Sequence, residues 1–488
     1  MQRPALIYVS VILVFGAGLW AVLSAGRRLE TPRPSPSAIS NPESPVSGAL
    51  PRSEAVSPGV WAAVRSRLAH PLGRLLLQLI VIVLAARVCG GLFQKIGQPP
   101  VVGEILAGIL LGPSVFGALA PRGAAFVFEA SSLGALRLLA EIGVLLFLFA
   151  VGLELDVSRL RHQAHTAVVV SHASIIVPYF LGVALSYFLY PRLAPANASF
   201  AAFALFLGIA MSITAFPVLV RILRERGLSR TFLGDTAVTC AAVDDVTAWS
   251  LLAMVVAVAN AQGVWASIRT VLLALAFILL TLRVAGPALR RAIGRHADAG
   301  QPGKAAVAGV LLFLLGSALA TELIGIHALF GAFLAGVVMP RQAAFRGYLS
   351  QRLEEFSSVF LLPVFFAFTG LRTEIGLLRD AESWLIGLLI VVVATAGKLG
   401  ASMLAARLTG MGWLESFELG ALMNTRGLME LIALNVGYEL GILPPRIFTM
   451  MVLMALATTF ATGPLLALAE RIRRRGPAAL ALSLHSDS

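Results

Sequence analysis

Two adjacent carboxylates, Asp244 and Asp245, lie near the middle of TFLGDTAVTCAAVDDVTAWSLLAMVVAVAN (231–260), with ten or more mostly apolar residues on either side. A charge at such depth in a bilayer costs about 2.5–3.5 kcal/mol or more, and by default it marks function. Neighbouring helix positions point about 100° apart, so the two carboxylates face different partners. A carboxylate that takes a desolvated cation or a proton in turn is the simplest device for exchanging the two, because both compete for one site. The bland alternative is a salt-bridged pair that ties helices together. It accounts for one carboxylate more readily than for both.

A natural partner is Lys398 in VVVATAGKLGASML (391–404), a lysine inside an apolar span. A buried ammonium needs a carboxylate beside it, which makes Lys398 a counterion and a potential proton carrier. The residues alone leave open which aspartate it joins. Hard monovalent cations need oxygen ligands, and SITAFPV (212–218) offers the hydroxyls of Ser212 and Thr214 plus carbonyls freed by Pro217. Capping or back-bonding by the same hydroxyls is an equal alternative. In MNTRGLME (423–430), Asn424, Thr425, Arg426, Gly427 and Glu430 put polar groups and an i, i+4 charge pair at membrane depth. They could support half-helix ends. Glu104, Glu141, Glu154 and Glu322, near span ends or helix contacts, are read as structural or gating residues, and His172 and His327 as core histidines.

The elements that must position these groups are set by composition. Of 488 residues, 58% are hydrophobic and only 13% charged, about half the charged fraction of a soluble protein. Mean hydropathy is +0.87. Thirteen apolar spans are expected: 75–94, 100–119, 133–154, 166–190, 199–223, 231–259, 264–283, 304–323, 326–340, 356–375, 383–408, 414–439 and 446–470. Spans of about 20 residues are helices, since barrel strands need only about half that. The fold class is therefore an all-α polytopic membrane protein. Ahead of it, residues 1–28 form a signal or anchor helix and 29–71 a Pro/Ser-rich disordered linker. The exchanger domain is 72–472, followed by a short tail, 473–488.

The net charge of +13 would suit nucleic acid, but the basic residues gather in short loops between spans, where they orient a membrane protein. Arg224, Arg226 and Arg230, then Arg283 to Lys304, then Arg341, Arg346 and Arg352, and finally the tail RIRRRG all fall on one side. That side is expected to be cytoplasmic, with the C-terminus there and the chain multi-pass in the cell (inner) membrane. Cys89 and Cys240 lie far apart in apolar spans, which suits neither a disulfide nor a metal site. If the seventh span links two halves of six, the fifth span of each half is interrupted, by SITAFPV and by MNTRGLME. Breaks at corresponding positions point to a transport site near the midplane.

Seven segments in order resemble the cation:proton antiporter-2 family, the sodium/hydrogen exchanger membrane domain. They are QPPVVGEILAGILLGPSVFG (98–117), AEIGVLLFLFAVGLELD (140–156), SITAFPVLVRILRERGL (212–228), AAVDDVTAW (241–249), GIHALFGAFLAGVVMP (325–340), LLPVFFAFTGL (361–371) and NTRGLMELIALNVG (424–437). The resemblance covers about residues 75–470. It implies a homodimer whose protomers each have a dimerisation domain and a mobile six-helix core, built as two inverted repeats in which the two discontinuous helices, the fifth and twelfth spans, cross beside the sixth. It further implies that Asp245 binds the cation and the proton, that Asp244 pairs with Lys398, and that Thr214 lies near the ion. An Asp-Asp pair with that lysine looks like the electrogenic sodium/proton branch. The short tail departs from the potassium-efflux members.

The expected function is secondary antiport of a monovalent cation, Na⁺ before K⁺, against protons by alternating access. The metal at Asp245 would be the transported cation, no cofactor is expected, and the partners are the ions and the bilayer. GxxxxGK[ST], HExxH and GxSxG do not occur, which leaves no basis for an ATP-driven pump or a hydrolase. A channel would need a pore lined along its length rather than one carboxylate site in apolar packing. A non-transporting sensor would not need Asp244, Asp245 and Lys398 together.

Overall fold

The computed structural model describes residues 2–29, 70–154, 164–196, 198–228, 231–260, 264–297, 303–340 and 342–475. Most of the expected linker and tail lies outside them, as does the side chain of Glu154. Among the described residues every regular element is helical, as a chain in hydrocarbon requires when no water can satisfy its backbone. The principal ones are, in order, α1 (Gln2–Gly26), α2 (Pro71–Lys95), α3 (Pro100–Leu111), α4 (Leu133–Glu154), α5 (Ala164–Leu193), α6 (Phe200–Ser212), α7 (Phe216–Glu225), α8 (Phe232–Asn260) and α9 (Val264–Leu280). Then follow α10 (Lys304–Ile324), α11 (Ala328–Val337), α12 (Ala343–Phe356), α13 (Leu362–Leu371), α14 (Ala381–Leu408), α15 (Trp413–Met423), α16 (Leu428–Glu439) and α17 (Pro445–Arg475).

Ten helices among the described residues are long and apolar enough to cross a membrane. The expected fifth, ninth and twelfth spans are the short or broken ones: α6 with α7, α11 alone, and α15 with α16. On α2, Leu72, Leu76, Ile80, Leu84, Val88 and Leu92 recur every fourth residue and are each more than half exposed, an apolar stripe suited to hydrocarbon.

The helices pack as two groups. One comprises α2, α3, α4 and α10–α13; the other comprises α5–α8 and α14–α17, and contacts between the groups are sparse. The helix α9 touches α8 of one and α10 of the other. Glycines allow the close crossings inside the first group. A Cβ on Gly370 of α13 would overlap the backbone of Gly108 in α3, and one on Gly336 of α11 would overlap the Phe149 carbonyl of α4. Small residues at membrane helix crossings let backbones approach where no hydrophobic driving force exists. The N-terminal α1 lies on the second group, with Phe15 edge-on to Phe180 of α5 (ring centroids 5.3 Å apart) and Gly26 against the Phe200 ring.

Candidate functional site

Two interrupted helices cross inside the second group. The first breaks at Ile213–Ala215, between α6 and α7, and Pro217 falls in the first turn of α7. There its missing N–H has no intrahelical acceptor to leave empty. The second breaks at Asn424–Gly427, between α15 and α16. The breaks are stitched to each other: the Ala215 N–H donates to the Thr425 carbonyl at 2.9 Å, and the Thr214 hydroxyl reaches the Met423 carbonyl at 3.3 Å. Gly427 allows the approach, for a Cβ there would stand 3.2 Å from Val218 of α7.

Breaking a helix in hydrocarbon strands its last carbonyls. At the end of α6 two cations take them up. The Arg426 guanidinium donates to the carbonyls of Ala210 (2.9 Å) and Met211 (2.6 Å), and the Lys398 ammonium donates to that of Ser212. A positive charge at a helix C-terminus is also favoured by the macrodipole. Arg426 keeps Glu430 within 3.5 Å, and Thr459 of α17 closes the other break by bonding both the N–H and the carbonyl of Arg426. Arg426, Lys398 and Glu430 are fully buried.

Asp244 is the centre of the cluster. Its carboxylate accepts from Ser171 (2.5 Å) and Ser174 (2.8 Å) of α5, from Thr214 (2.6 Å) and from Lys398 (3.1 Å). Four donors on one buried carboxylate satisfy it almost completely. Asp245, the next residue on α8, is 1% exposed, and neither of its oxygens has a hydrogen-bond partner among the described residues. One turn further on, the Trp249 indole N–H is also unpartnered, and its ring stacks on Phe333 of α11 with centroids 6.3 Å apart. The Asn424 amide is buried and unpartnered as well.

The sequence-expected residues thus meet in one place, but in a different division. The Ser212 hydroxyl bonds the Ile209 carbonyl of its own helix at 2.9 Å, and its carbonyl is taken by Lys398. Thr214 donates to Asp244, not to Asp245. Both therefore serve the Asp244–Lys398 cluster rather than offering free oxygens. Among residues of blander expectation, Glu322 accepts from the Ala328 N–H and so caps α11, Glu141 pairs with Arg137 at 2.9 Å, and the His172 ring bonds the Val168 carbonyl. The placement of Ser171, Ser174, Trp249 and Thr459 does not follow from the sequence patterns. The signal for the serines was SHAS (171–174), two hydroxyls at i, i+3 on one helix face.

The family described as "Sodium/hydrogen exchanger, transmembrane" matches residues 80–468. The chain belongs to that family. Its members are secondary transporters rather than enzymes. The exchanger is 42% identical over 392 residues to the Na⁺/H⁺ antiporter NhaS4 of Synechocystis, covering 80% of this chain and 96% of the relative. It is 40% identical to cation/H⁺ antiporter 17 of Arabidopsis thaliana and 33% identical to K⁺/H⁺ antiporter 1 of Saccharomyces cerevisiae, covering 84% and 81% of this chain. It spans about half the length of those two, 50% and 46%. The exchanger also shares the fold of the sodium proton antiporter MjNhaP1 from Methanocaldococcus jannaschii, with a TM-score of 0.58 at 14% identity over 81% of this chain and 97% of that one.

Proposed function

We propose that the exchanger is a secondary active Na⁺/H⁺ antiporter in which Asp245 binds cation and proton in turn. The observation that carries this reading is the isolation of Asp245. An ionised carboxylate buried without donors is costly far beyond a few kcal/mol. It therefore needs a bound proton or a bound cation at every moment of burial, and competition between the two is antiport. Asp244, with Lys398 and three hydroxyls around it, holds the crossing together.

The sparse boundary between the two helix groups supports transport by alternating access. The group that holds Asp244, Asp245 and both breaks moves as a unit against the other and carries the site across the barrier. In the cell the exchanger lies in the inner membrane as a homodimer, its basic loops and C-terminus in the cytoplasm, as the loop arginines favour. Residues 72–472 form the exchanger domain, after a signal or anchor helix and a linker. Sodium is preferred on the likeness to the full-length cyanobacterial Na⁺/H⁺ antiporter; the likeness to a yeast K⁺/H⁺ antiporter makes potassium the second reading.

Proteoliposomes with an imposed pH gradient decide both points. Addition of Na⁺ dissipates the gradient in the parent and not in Asp245→Asn. A larger response to K⁺ than to Na⁺ would replace sodium by potassium, and cation flux without proton counterflow would end the antiport reading.

A further inference from the structure

Two small cavities lie along the boundary between the helix groups, on the side of Asp245 that faces the end carrying residues 372–380 and 440–444. The first is about 10 Å³ and is lined by Trp249, Leu252, Val256, His327 and Val436 among others. The second, about 30 Å³, shares His327 and Val436 and reaches Glu141, Asn435 and Glu439. The first has room for about one water and the second for about two. Trp249 stands one helical turn beyond Asp245, so the cavities form a broken string that begins one turn from the carboxylate, which itself lines neither, and leads toward that end of the molecule. Their walls come from both groups: α8 and α16 on one side, α4, α11 and α13 on the other.

At the end of the string a charged side chain crosses the boundary. Arg372, just after α13, donates to the Asn435 amide oxygen at 2.8 Å and to Glu439 at 2.9 Å, both on α16. Its guanidinium lies over the rings of Phe368, in its own group, and Tyr438, in the other, at 4.1 Å and 5.1 Å. The Asn435 amide in turn donates to Thr369 of α13 at 2.8 Å. Direct packing between α13 and α16 is otherwise slight. The Arg372–Glu439 pair is only 15% and 24% exposed, so it is stronger than an ordinary surface pair.

We propose that Arg372 is the lock on the passage between Asp245 and that face of the membrane. It closes the passage by pinning α16 of the site-bearing group to α13. The proposal rests on the alternating-access reading and adds to it the route and the residue that shuts it. When the groups part, the guanidinium must release Asn435 and Glu439, and the two cavities merge into an entrance.

The test is labelling of Val436→Cys, 3% exposed in the closed form, by a membrane-impermeant maleimide in a background of Cys89→Ser and Cys240→Ala. Vesicles of both orientations are used, so that each face is probed. Adding Arg372→Ala is expected to speed labelling roughly tenfold from one face only, as loss of two charge-assisted hydrogen bonds should. Glu439→Gln, which leaves α13 intact, is expected to act in the same direction and less strongly. Unchanged labelling in both variants overturns the lock, and so does an equal rise from both faces, which would mean general loosening. Labelling needs no transport. Failure of the parent to exchange ions would therefore sink the antiport reading while leaving this result to stand or fall separately.

Discussion

Asp244 and Asp245 are chain neighbours with the same side chain and the same burial, yet they occupy opposite kinds of site. Asp244 sits among four donors; Asp245 has none among the described residues. The one-residue step along a helix turns a side chain by about 100°, which here separates the interior of a helix group from its boundary. Charge at membrane depth is thus used in two ways. A satisfied carboxylate ties helices together, whereas an unsatisfied one is, on the proposed function, the ligand site.

The comparison breaks most visibly in substitutions that treat the neighbours alike. Asp245→Asn is expected to abolish exchange to the level of empty vesicles while leaving the thermal midpoint in detergent unchanged or raised, since no hydrogen bond is lost. A midpoint lowered as far as that of a Lys398 variant would erase the distinction. Lys398→Ala strands Asp244 and the Ser212 carbonyl, at an expected cost of about 3–5 kcal/mol, read as loss of folded protein on heating. Lys398→Met combined with Asp244→Asn should lose less than the sum of the single changes, because the two groups act as a pair.

Smaller effects sharpen the same contrast. Arg426→Lys keeps the charge but loses the fork that reaches the carbonyls of Ala210 and Met211, with an expected loss of about 1–3 kcal/mol. Thr214→Val removes one of four donors to Asp244 and is expected to cost about 1 kcal/mol. Its effect on apparent Na⁺ affinity should be smaller than its effect on stability. The reverse order in transport assays would place Thr214 beside the ion after all.

Much of this was legible in the sequence. Apolar runs marked the helices, and SITAFPV and MNTRGLME marked the breaks, because proline and glycine act locally on the backbone. The pairing of Lys398 was left open by the residues alone, since a lysine on α14 can reach different faces of α8 depending on how the helices cross. The partners of Ser171 and Ser174 are hidden in the sequence for a related reason. A hydroxyl in an apolar helix most often bonds its own backbone, as Ser212 does, and only the packing of α5 on α8 turns these two toward Asp244. The motif glycines Gly108, Gly336 and Gly370 carried the resemblance without a reason attached. Their reason is close contact with backbones far away in the chain.

The division of labour between the two aspartates is tested most directly by the apparent KM for Na⁺ in proteoliposomes across a range of pH. If Na⁺ and H⁺ compete for Asp245, the KM rises in proportion to proton concentration on the acid side while the rate at saturating Na⁺ holds. A KM that stays constant across the range would contradict the account, because cation and proton would then occupy separate sites.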